Sequence, residues 1–103
     1  MEREPLKLSF KIDPIKTMKN GYSFNEANEM ADKMCVNRGC VKVSPGVYSG
    51  ADIEKDFVSV CGSISALIKK QWFRECAKEL LLIRSNGKED MIEHYKSKGY
   101  VFK

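Results

Sequence analysis

The residues that most constrain this chain are the first regular ones. Leu6, Leu8, Phe10 and Ile12 alternate with Lys7, Ser9 and Lys11. A period of two places one set of side chains in a core and the other in water, the pattern of a half-buried strand. Such a strand needs partners in a sheet and a layer to cover its apolar face. Further along, the apolar period lengthens to three and four. That mixture predicts an α+β fold in which helices cover a small sheet and outweigh it.

Pro14 ends the first strand, and the stretch that follows reads as a turn around Asn20-Gly21. Ser23 stands three residues before Glu26, a capping box whose side chains satisfy each other's orphan backbone N–H groups. Helix follows over 24–36, with Phe24, Ala27, Met30, Ala31 and Met34 as the apolar stripe. Gly39 is its natural stop. Cys40, Val41 and Val43 open a second strand over 40–44, which Pro45-Gly46 bends or ends. The first half therefore reads as a β-α-β unit, with a right-handed crossover and parallel strands as the default.

The stretch "SGADIEKDFVSVCGSISALIKK", residues 49–70, admits two readings. It is either a strand turning sharply at Cys61-Gly62 into a helix, or two helices meeting at Gly62. Ile53, Phe57, Val60, Cys61, Ile64, Leu67 and Ile68 are spaced by the helical three and four, whereas the strand frame leaves neither face clean. Ser49 with Asp52 also resembles a capping box. Helices over 51–61 and 64–84 are therefore expected. Within the second, the apolar stripe shifts by about a quarter turn at 100° per residue, so the helix wraps its neighbours or bends near Lys69-Lys70-Gln71. Leu80 to Ile83 is apolar on all sides and reads as a buried helix end or a short buried strand. A last helix is expected over 88–98, and Tyr100-Val101-Phe102 as an edge strand.

Length and composition bound the rest. One domain spanning 1–103 is expected from a chain of 103 residues, 43% of them hydrophobic and 31% charged. The longest apolar run is four residues, far short of the ~20 of a membrane span, and the amino terminus has no signal-peptide pattern. A cytoplasmic location follows as the expectation. Cys35, Cys40, Cys61 and Cys76 then read as thiols rather than disulfides.

Catalysis finds little to build on. A reactive cysteine needs a base, and the chain has one histidine, His94, on the last expected helix. Cys61 paired with His94 is the one arrangement that would make a cysteine-dependent enzyme. Cys61 as a small buried apolar side chain is the preferred reading. Zinc sites present close C-x₂₋₄-C pairs, whereas Cys35 and Cys40 are five apart and the other two are scattered. No glycine spacing matches a nucleotide-binding loop. No catalytic residue, metal or cofactor is expected.

Two binding surfaces stand out. Trp72 and Phe73 are adjacent on a helix and diverge by about 100°, so with Tyr48 and Tyr100 they are candidates for an exposed aromatic anchor, the kind that dominates interfaces. The net charge of +4 also permits an acidic partner. Lys69, Lys70, Arg74 and Lys78 along one helix, with Lys7, Lys11 and Lys42 on the sheet, would form a phosphate-contacting face. Helices 71–84 and 88–97 imitate a helix-turn-helix, but three carboxylates on the second oppose base reading. The function expected is a small non-enzymatic module that regulates or inhibits a larger complex by direct protein contact. A sequence-tolerant nucleic-acid binder is the alternative.

Overall fold

The structure is a computed structural model that describes residues 4–102. Among the described residues five strands form one sheet: β1 (Lys7–Ile12), β2 (Cys40–Ser44), β3 (Val47–Gly50), β4 (Ala77–Arg84) and β5 (Gly87–Asp90). Their order is β2-β3-β1-β4-β5, and every pairing is antiparallel. The helices are α1 (Pro14–Lys19), α2 (Phe24–Asn37), α3 (Gly62–Lys69), α4 (Gln71–Cys76) and α5 (Met91–Lys96), with a π-helical turn at Phe57–Cys61 leading into α3. The class is α+β, and helix outweighs strand by 46% to 27%. No helix among the described residues is long and apolar enough to cross a membrane.

The alternation in β1 does what its period requires. Leu8, Phe10 and Ile12 are buried, while Lys7, Ser9 and Lys11 are not. Tyr48 from β3 and Leu80 and Leu82 from β4 share the buried side, because directly paired residues point to the same face. Ala27, Ala31 and Cys35 of α2, with Ile64, Leu67 and Ile68 of α3 and Phe73 of α4, close one continuous core over them. The opposite face carries Ser9, Val41, Val47, Leu81 and Ile83, none of them buried. Among the described residues the molecule is thus a two-layer sandwich with one sheet face open.

Local signals explain the ends of the first two helices. Asp13 caps α1 by accepting from the N–H groups of Ile15 (2.9 Å) and Lys16 (3.1 Å), with Pro14 in the first turn. The segment read as a turn is therefore a short helix, and the turn is confined to Asn20 and Gly21. Ser23 caps α2 as expected, its hydroxyl accepting from Glu26 N–H at 3.3 Å. The buried stripe of α2 is narrower than the sequence suggested: Phe24 and Met30 are 42% and 40% exposed, and Ala27, Ala31 and Cys35 face inward. Small residues at a spacing of four let the helix lie close to the sheet.

The β-α-β start differs from the expectation: two helices, α1 and α2, join β1 to β2, and the two strands are not neighbours. β1 and β2 each run antiparallel to β3, so they point the same way, but β3 lies between them. Pro45-Gly46 does not end the sheet: it turns β2 back into β3, with Gly46 at φ 77°, the residue signature of a type II turn. Phe10 N–H donates to Gly46 O at 2.9 Å, which ties this hairpin tip to β1.

The second half departs further. The helix expected over 51–61 is replaced by turns to residue 55 and the π turn, and Ser49 lies in β3 rather than capping a helix. Gly62 is helical, at φ −63° and ψ −39°, so it joins two segments instead of breaking them. The bend near Lys69-Lys70-Gln71 is present, because Lys70 is extended and separates α3 from α4. The helix expected to run to 84 stops at Cys76, and Leu80–Ile83 takes the strand alternative inside β4. Residues 87–90 form β5, which shortens the last helix to Met91–Lys96, capped by Asp90 accepting from Glu93 N–H at 3.1 Å. A β-hairpin thus occupies the place of the imitated helix-turn-helix. Residues 100–102 form no strand. Tyr100 packs edge-on against Tyr95 with ring centres 5.5 Å apart.

Candidate functional site

The basic residues do not share one face. Lys7 and Lys11 lie on the open face of the sheet, while Lys69 and Lys70 end α3 in the helical layer. Lys78 is in β4 rather than on a helix beside them. Arg74 is engaged internally: its guanidinium donates to Ile68 O and lies over the Tyr100 ring at 5.7 Å. Lys11 reaches Glu79 at 4.0 Å, and Lys42 pairs with Asp32 at 3.2 Å. The lysines are therefore divided between the two layers, and Lys11 and Lys42 carry partners of their own.

The aromatic candidates are likewise sorted by burial. Phe73 and Tyr48 are 0% and 1% exposed, so both belong to the core and neither is an exposed aromatic anchor. Trp72 packs edge-on against Phe73, with ring centres 5.9 Å apart, and is itself partly buried. Tyr100 is partly buried as well.

Burial disfavours the thiolate at three of the four cysteines. Cys35, Cys40 and Cys76 are buried, Cys61 is half-buried, and none is in a disulfide. Burial pushes the Cys35 thiol up to about 12 and raises those of Cys40 and Cys61. Thiols so placed are weak nucleophiles. His94 sits at Glu89, 3.4 Å from its carboxylate, and edge-on to Tyr95. The charges acting on Cys61 are those of Arg84, Asp56 and Glu89. Among the described residues no group of three or more His, Cys, Asp or Glu side chains is arranged to hold a metal.

What the fold does build lies at the β2 end of the sheet. An open groove of about 570 Å³ runs between α2 and the β2–β3 hairpin. Phe24, Asn25, Asn28 and Glu29 line it from the helix, and Lys42, Pro45 and Tyr48 from the hairpin. The helix cap at Ser23 sets where the α2 side chains emerge, and the Pro45-Gly46 turn fixes the opposite wall. The two walls are bolted together by charge. Tyr48 Oη donates a short hydrogen bond to Asp32 Oδ1, and Lys42 Nζ stands 3.2 Å from the same oxygen. The Tyr48 hydrogen bond, reinforced by Lys42, holds the Asp32 carboxyl below its ordinary range. Burial, with Asp32 beside it, raises the Tyr48 phenol far above its own.

Beside the groove, β2 is the outermost strand, and four of its five residues are exposed. Val41 and Val43 are 52% and 56% exposed. The sequence reading named Lys42 and Tyr48 in this region but missed the groove and the strand edge. The apolar residues of "CVKVSPGVY" were a visible signal, since Pro-Gly between two β-rich runs is a hairpin pattern. The chain matches no protein-family model, and no curated protein resembles it in sequence.

Proposed function

We propose that this chain is a non-enzymatic binding module that regulates or inhibits a larger complex by direct protein contact. The observation that carries this reading is the exposed β2 strand, with Val41 and Val43 uncovered and Lys42 lining a groove between α2 and the hairpin. Uncovered apolar side chains on an outer strand are a usual mark of a contact surface. The raised thiols and the engaged imidazole support a binding role over a cysteine-dependent reaction. A cytoplasmic location belongs to the same reading, and the four free thiols fit a reducing compartment.

Affinity purification of the chain from its native cell, with nuclease treatment, tests this. A protein partner that survives the nuclease and is lost from Val41→Glu and Val43→Glu variants of unchanged circular dichroism is the expected result. Recovery that disappears on nuclease treatment would transfer the function to nucleic acid. Recovery that neither variant alters would place the contact elsewhere.

A further inference from the structure

We infer that the groove between α2 and the β2–β3 hairpin binds a small ligand: a flat, uncharged ring carrying a carboxamide-like edge of adjacent donor and acceptor. The site stands apart from the protein-contact reading, since Val41 and Val43 lie outside its lining.

The groove is shaped from inside the fold. Phe10 of β1 and Tyr48 of β3 supply its floor, their rings stacked with centres 5.7 Å apart and planes within 9°. Phe24 forms the helical wall and Pro45 the opposite one. Phe24 belongs to the apolar stripe read for α2, yet it is 42% exposed and lines this space instead of the core. The hairpin wall is seated on the floor. Phe10 N–H donates to Gly46 O at 2.9 Å, and a Cβ at Gly46 would meet Phe10 O at 2.6 Å, so only glycine lets the turn lie there. At about 570 Å³ the space falls within the roughly 300–1,000 Å³ of clefts that hold ligands, which are mostly apolar with a few placed polar groups. An aromatic wall favours a flat ring, stacked or edge-on.

Charge and the amides set the other two requirements. The lining holds two carboxylates, Glu29 and Asp32, and two ammonium groups, Lys33 and Lys42. Asp32 is already engaged, accepting from Tyr48 Oη and standing 3.2 Å from Lys42 Nζ. A charged ligand of either sign meets repulsion as well as attraction there, and gives up hydration on entering. An uncharged one has neither cost. Asn28 Nδ2 donates to Phe24 O at 2.9 Å, which holds that side chain and leaves its Oδ1 to accept. Asn25 lines the same wall three residues earlier, the spacing of neighbours on a helix face. Two amides side by side match a ligand edge that both donates and accepts.

The test titrates the whole protein with benzamide while two-dimensional amide spectra are recorded, and repeats the titration with benzoate, benzylamine and cyclohexanecarboxamide. Benzamide should bind saturably with a dissociation constant of about 1 mM, as expected of so small a molecule, and move the signals of Asn25, Asn28 and Gly46. Benzoate and benzylamine keep the ring and add charge, and each should bind about threefold more weakly or worse. Cyclohexanecarboxamide keeps the edge without the flat ring and should lose about fivefold. Phe24→Leu, at a half-exposed position, should weaken benzamide about fivefold with circular dichroism unchanged. Asn28→Ala should cost about as much. No saturable shift at about 20 mM benzamide would overturn the inference. So would shifts confined to residues outside the groove, charged probes that bind as tightly as benzamide, or a Phe24→Leu protein that binds it unchanged. None of these readouts needs a protein partner, so their outcome is separate from that of the affinity purification.

Discussion

The two edges of the sheet are built on opposite plans. β5 is four residues long, carries Lys88, Glu89 and Asp90, and passes directly into α5. Glu89 there joins Arg84 at 3.1 Å and His94 at 3.4 Å. Charges and brevity are the ordinary means of closing an edge to further strands. β2 has one lysine, which turns inward to Asp32, and two uncovered valines. The difference is that charge lines the edge at β5, whereas the edge at β2 leaves two valines uncovered. The two edges are also mounted differently. The β2–β3 hairpin is held by close backbone packing and a buried hydroxyl, whereas the β5 edge is held by surface ion pairs.

The largest effect should come from disturbing that mounting. A Cβ on Gly50 would meet Asp56 Cβ at 2.3 Å and Asp56 Cα at 2.7 Å. Gly50→Ala must therefore push β3 off the segment before the π turn. A loss of about 3 kcal/mol is expected, with a melting temperature lower by on the order of 10 °C, as thermal unfolding would read. An unchanged melting temperature would show that the hairpin is looser than its contacts imply.

Next in size is the bolt between the groove walls. Tyr48→Phe removes the hydroxyl from Asp32 and should cost about 1 kcal/mol in chemical denaturation. The pH dependence follows from the lowered Asp32 carboxyl. Its contribution is complete above the unfolded value, about pH 4, and is lost as acid carries the pH down through the lower folded value. Stability curves of the parent should therefore fall more steeply below about pH 4 than those of Tyr48→Phe or Asp32→Asn.

On the guarded edge the same experiment should give less. Glu89→Gln breaks contacts to Arg84 and His94, but the Glu89 side chain is 37% exposed. A loss of about 0.5 kcal/mol, shrinking in high salt, is expected from denaturation at two ionic strengths. Smallest of all is Val41→Lys, which should shift stability by less than about 0.5 kcal/mol because the residue is half exposed. A large loss there would mean that Val41 is a structural residue and would remove the contrast between the edges.

The first half of this fold was legible because its local signals agree with its tertiary role. The alternation of β1, the Ser23 cap and the Gly39 stop each specify one backbone state. The second half was not, because there the two disagree. β4 is spelled Ala-Lys-Glu-Leu-Leu-Leu-Ile-Arg, whose first six residues are good helix formers, and pairing with β1 and β5 overrides that preference. Gly87-Lys-Glu-Asp has no strand character of its own and is extended because β4 supplies its partner. The candidate site was half visible for a similar reason. Lys42 and Tyr48 were picked out singly, but the Asp32 that joins them lies on the polar side of the stripe read for α2, and only the true rotation of that helix brings it to the hairpin.

A π turn holds one more residue than the α turn it replaces. Loss of one residue within Phe57–Cys61 could thus be absorbed by tightening that turn, leaving Ile64, Leu67 and Ile68 aimed inward. The same loss between Ala27 and Cys35 would swing the rest of α2 by about 100° and take Cys35 out of the core. The helical layer therefore has a place where its length can vary by one without re-aiming the interior. The side chains that such a deletion would discard, Phe57 and Val58, already stand 65% and 75% in solvent.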